Sequence, residues 1–166
     1  MTCNASPRTY QVIDTKLQED VDMSEAPPQI RNLAERLIAH ETRGNKSSGT
    51  RTPAAFPVVE KLRPKLATLI GDAGFRALLS RALARAKAGV PSLRAVQVEA
   101  DGALRGLAGL EAQADPREIA EGRVVLLAQL LGMLVAFIGE DLTLRLVREV
   151  WPKFSLNSLD VSRRQR

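Results

Sequence analysis

The sequence predicts an all-α protein: a single-domain helical bundle of about five helices, with one small β-hairpin near 95–107. Three observations predict it. Apolar residues recur near the helical period along most of the middle and C-terminal chain. Proline, glycine and short polar residues punctuate those stretches where helices start and stop. The chain has 166 residues and 45% hydrophobic content, which suits one compact domain. Aromatic residues make up only 4%, so the core must be built mainly from aliphatic side chains.

The expected organisation is an N-terminal arm over 1–26, a helical domain over 27–154 and a basic tail over 155–166. The arm mixes polar residues with Val12 and Ile13, and one short extended piece is expected around Tyr10–Ile13. The first helix follows Ser24 and the pair Pro27–Pro28. Ile30, Leu33, Ala34, Leu37 and Ile38 share one face of it, and Arg31, Asn32, Glu35 and Arg36 the other. Gly44 provides its stop.

Residues 44–52 form a polar loop, after which Thr52 and Pro53 read as N-cap and first helical residue. The second helix carries Phe56, Val59, Leu62, Leu66 and Leu69. Pro64 removes an interior hydrogen bond, so a kink or break is expected near Arg63. Gly71–Asp72–Ala73–Gly74 reads as a turn into a third helix, whose stripe is Phe75, Leu78, Leu79, Ala82, Leu83 and Ala86. Gly89 and Pro91 end it.

Residues 95–107 break the helical pattern. Val96 and Val98 alternate, and Asp101–Gly102 is a tight-turn dipeptide, which favours a hairpin over a short helix with a capped loop. Asp115 then caps, Pro116 fits the first position, and Glu118 completes the start of a helix running to about Ile138. From Val124 that helix is apolar all round, which places it among other helices. Its apolar run, Val124 to Ile138, interrupted only by Gln129 and Gly132, is fifteen residues, short of the ~20 that cross a bilayer, so no membrane role is expected. Gly139–Glu140–Asp141 marks a break before a last helix, Leu142 to Trp151, stopped by Pro152.

The net charge of +5 is unevenly spread: residues 1–26 sum to −3, 27–90 to +8, 91–151 to −3 and 152–166 to +3. Eighteen of the 24 cations are arginine, which suits forked contacts with carboxylate or phosphate. Residues 66–83, LATLIGDAGFRALLSRAL, resemble a helix-turn-helix, with Leu66 and Ala67 on one helix, Gly71 in the turn, and Ser80–Arg81 and Leu83 on the next. Asp72 stands where that family is usually apolar, and Ser80–Arg81 falls about two residues late. The resemblance implies that the second helix enters the major groove and makes Arg76, Arg81 and Arg85 the candidate nucleic-acid contacts. That reading requires the three to share an exposed positive face and not to pair with Glu60, Glu99 or Glu111.

Most chemistry is excluded by what is missing. One cysteine, Cys3, allows no intrachain disulfide or cysteine-based zinc cluster and reads as an incidental thiol. One histidine, His40, rules out sites needing two imidazoles, and an enzyme centred on it needs a carboxylate or hydroxyl within reach. The acidic pairs Glu99/Asp101 and Glu140/Asp141 lack the companions of a calcium or magnesium site. No phosphate-binding glycine motif is present, and no secretory signal is visible in the first twenty residues. No cofactor or metal is implied. The expectation is therefore a non-catalytic cytoplasmic helical module that binds another protein or itself; nucleic-acid binding is less favoured. The apolar excess near the C-terminus points to an exposed patch at Leu144, Val147 and Trp151 as its docking surface.

Overall fold

The computed structural model describes residues 26–45 and 56–156. The Tyr10–Ile13 piece, Ser24, Thr52–Pro53, Cys3 and most of the basic tail lie outside these residues. Helix α1 spans Pro28–Asn45, α2 Pro57–Gly89, α3 Leu107–Glu111, α4 Pro116–Ile138 and α5 Glu140–Val150. A 3₁₀ turn, Pro91–Ala95, and two short strands, β1 Gln97–Val98 and β2 Leu104–Arg105, lie between α2 and α3. The fold is all-α, and its four longer helices replace the expected five.

The boundary expected at Gly71–Gly74 is present as a kink. Gly71 leaves helical geometry at φ 76°, ψ 164°, so α2 is two helical stretches that meet at this one residue. That backbone region is open essentially to glycine alone. Pro64, where the break was expected, keeps helical dihedrals. It is exposed, so the carbonyl it leaves without a partner can face water.

Around α4 the other helices assemble. It packs against α1, α2 and α5, and Leu126 to Leu131 are all buried. The start of α4 is fixed as the sequence indicates: Pro116 opens it, and Asp115 accepts a hydrogen bond from the Arg117 amide at 2.9 Å. By length and composition α4 could cross a bilayer, and half of its apolar window is buried among the other helices. Leu33, Ala34 and Leu37 of α1 and the six stripe residues of the second half of α2 enter the same core.

The hairpin forms as expected. β1 pairs antiparallel with β2, Gln97 opposite Arg105 and Val98 opposite Leu104. Asp101 Oδ1 accepts from the Ala103 amide, and Gly102 takes φ 85°. Gly106 follows at φ 97°, where an added Cβ would lie 2.6 Å from the Ala95 carbonyl oxygen. Gly106→Ala is therefore expected to lower stability by about 2–3 kcal/mol, from left-handed strain and a clash with backbone that cannot move aside. Chemical denaturation of this variant beside Gly109→Ala, which meets open space, measures the difference.

Candidate docking face

Val147 is fully buried, and Trp151 retains 3% of its surface. The expected docking patch at Leu144, Val147 and Trp151 is therefore not on the surface: two of the three are core, and Leu144 is half-buried against it. The reason is a polar anchor supplied by a residue 110 positions earlier in the chain than Trp151. Glu41, on the last turns of α1, is buried, and its Oε1 accepts the Trp151 indole N–H at 2.6 Å. The same oxygen is paired with Lys61 Nζ from α2. A buried indole needs such an acceptor, and a buried carboxylate needs such a cation. Beyond Trp151 the chain stays on α1. Arg36 donates to the Ser155 carbonyl at 2.6 Å and lies over the Phe154 ring at 5.1 Å, and Leu156 is buried. The packed body thus continues past residue 154.

His40 belongs to this clasp. Its ring meets the edge of Phe154 at 5.6 Å and 89°, and its Nδ1 is buried without a hydrogen-bond partner. The carboxylate next to it in sequence, Glu41, is committed to Lys61 and Trp151. Glu99 pairs with Arg105 at 2.9 Å, and Asp101 caps its own turn. No group of three or more His, Cys, Asp or Glu residues suited to a metal ion occurs among the described residues.

Arg81 and Arg85 are exposed, with no ion pair among the described residues, while Glu60 pairs with Arg63. The Glu111 side chain lies outside the description. At 3.6 residues per turn Arg76 sits about 140° around the helix from Arg81, and its Nε is buried without a partner. The three arginines therefore do not form the shared positive face that the helix-turn-helix resemblance requires. The kinked α2 does consist of two helical stretches meeting at Gly71, the residue the resemblance places in the turn.

The exposed apolar surface lies elsewhere. Leu69 is 60% exposed, Ile70 38%, Phe137 69% and Leu142 54%. All four flank two glycines of nearly equal geometry, Gly71 (φ 76°, ψ 164°) and Gly139 (φ 87°, ψ 162°). The local sequences match as well: Leu69-Ile70-Gly71-Asp72 and Phe137-Ile138-Gly139-Glu140 each place an aliphatic or aromatic residue, isoleucine, glycine and an acid at a corner. Glycine supplies a dihedral pair that other residues avoid, so the chain swings away and leaves Leu69 and Ile70 exposed before one corner and Phe137 before the other, with Ile138 half-buried. The following acid sits in the first turn of the next helical stretch, where the helix dipole favours it. This recurrence was the sequence signal for the face.

The two corners adjoin. Ile70 and Ile138 line one groove of about 460 Å³ with Gly74, Leu134 and Phe137. A second, of about 340 Å³, shares Arg81 and Phe137 with it and reaches Arg85 and Ala26. A third, of about 320 Å³, shares Ile138 and runs past Leu69 to Leu142. The result is a continuous apolar furrow with Arg81 and Arg85 along one arm. The exposed Asp72, Glu140 and Asp141 follow the two glycine corners in sequence, and Lys65, Arg145 and Glu149 line the other arm. Lys65 and Arg145, beside the third groove, share Glu149 at 3.5 and 3.6 Å.

Comparison with family models, characterised proteins and solved structures finds no match.

Proposed function

We propose that the protein is a non-catalytic helical module that self-associates through the furrow at its two glycine corners. The observation that carries this reading is the cluster of Leu69, Ile70, Phe137 and Leu142, all large, apolar and exposed around adjoining grooves. Isolated exposed apolar residues are ordinary, whereas a contiguous set rimmed by charge marks a contact surface.

A second copy of this chain fits it best. In a two-fold pairing the same patch meets itself in reverse, so residue i contacts residue j and the converse. The proposed pairing sets Arg81 and Arg85 of each copy against Asp72, Glu140 and Asp141 of the other, with Phe137 and Ile70 between. The charge pattern is self-complementary in that orientation and repulsive in the parallel one. Nucleic-acid binding keeps only Arg81 and Arg85 as neighbouring contacts, which would give a salt slope near −2 and little affinity.

Light scattering across a concentration series tests the reading. The expected mass rises from 18.1 kDa to twice that value, with the midpoint moving to higher concentration as salt is added. A mass that stays at one chain up to millimolar concentration would end the proposal.

A further inference from the structure

We infer that the chain carries its own competitor for this face: the acidic stretch before Ala26 seats in the furrow beside Arg81, Arg85 and Phe137 and holds self-association back. The inference rests on the docking reading above and adds its regulation. Three observations support it. The first described residues, Ala26 and Pro27, themselves line the groove that contains Arg81, Arg85 and Phe137. That chain has the opposite charge, with Asp14, Glu19, Asp20, Asp22 and Glu25 against only Arg8 and Lys16. It also carries apolar residues for an apolar furrow: Ile13, Leu17 and Val21 recur at every fourth position, the spacing of a one-sided stripe.

Reach is sufficient. The nine residues from Ala26 back to Leu17 cover about 14 Å even at helical rise, while Gly132 to Ile138 along α4 is about 9 Å. Leu17 and Val21 can therefore stand over Phe137, the residue that a second copy must also cover. A tethered segment competes at high effective concentration. If it covers the face nine-tenths of the time, both copies must be open to pair, and apparent self-affinity falls about a hundredfold.

The test uses the full chain. A nitroxide is placed at Leu17→Cys in a Cys3→Ser background, and methyl signals are read below the association midpoint. In one sample nitroxide and isotope share a chain diluted with unlabelled protein; in the other they sit on separate chains. The expected result is broadening of Met133 and Ala136 methyls in the shared-chain sample, exceeding that of Val98 on the hairpin. Replacing Asp14, Glu19, Asp20 and Asp22 with lysine is expected to abolish it and to tighten self-association about a hundredfold. An unchanged far-UV spectrum confirms that this variant is folded. Equal broadening at Val98, no broadening, or broadening only between separate chains would overturn the inference. A mass that doubles without groove broadening defeats the competitor and leaves the pairing of copies standing. Groove broadening in a chain that never doubles defeats the pairing and leaves the segment seated.

Discussion

Trp151→Ala is expected to destabilise the fold by about 3–5 kcal/mol, the range for deleting a large buried aromatic side chain. In a domain of this size that corresponds to a fall in Tm of roughly 10 °C or more. The argument has two parts. Trp151 is 3% exposed, so the substitution opens a cavity where the C-terminal segment meets α1. It also removes the indole N–H from Glu41, leaving a buried carboxylate with Lys61 as its remaining partner. Trp151→Phe separates these effects: it refills most of the volume and leaves only the lost hydrogen bond, at about 1–3 kcal/mol. Glu41→Ala should cost less than Trp151→Ala, about 1–3 kcal/mol, because it strands the buried indole N–H while the half-exposed Lys61 returns to water. The double variant should cost less than the two singles added, since both act on one contact. Urea denaturation followed by circular dichroism provides all four values. A Trp151→Ala protein as stable as wild type would mean that the clasp contributes nothing.

Phe137→Asp should behave in the opposite way. Its side chain is 69% exposed, so the fold should change by no more than about 0.5 kcal/mol. Self-association should weaken by about 30-fold or more, the equivalent of a 2 kcal/mol hot spot at the centre of an interface. Leu69→Asp, at the furrow's far side, should weaken it less. The pairing of intact stability with lost association separates a contact residue from a core residue. Sedimentation equilibrium beside thermal melts reads both; parallel loss of the two, or loss of neither, would count against the face.

Much of the fold was legible in the chain. The α1 stripe, the stripe from Phe75 to Ala86, the Asp115–Pro116 start and the Asp101–Gly102 turn are local features, decided by residues within one or two turns of each other. One expectation failed where a distant partner decides. Trp151 reads as an uncovered residue at a helix end until Glu41, 110 positions earlier, is brought to its indole nitrogen. The change of direction at Gly71 was legible, and a single residue makes it in place of the expected four-residue turn. The face itself was written twice, as aliphatic-or-aromatic, Ile, Gly, acid. Periodicity could not reveal that these corners lie side by side, because their adjacency is set by how α2 packs on α4.

Charge exchange between copies tests the central claim most directly. One variant carries Arg81→Glu and Arg85→Glu; the other carries Asp72→Lys, Glu140→Lys and Asp141→Lys. Reversed pairing of the furrow predicts that each variant alone stays at 18.1 kDa, because like charges meet in both contacts. An equimolar mixture restores opposite charges in both contacts and should recover the doubled mass. Variants that still pair alone, or a mixture that stays monomeric while wild type doubles, would contradict it.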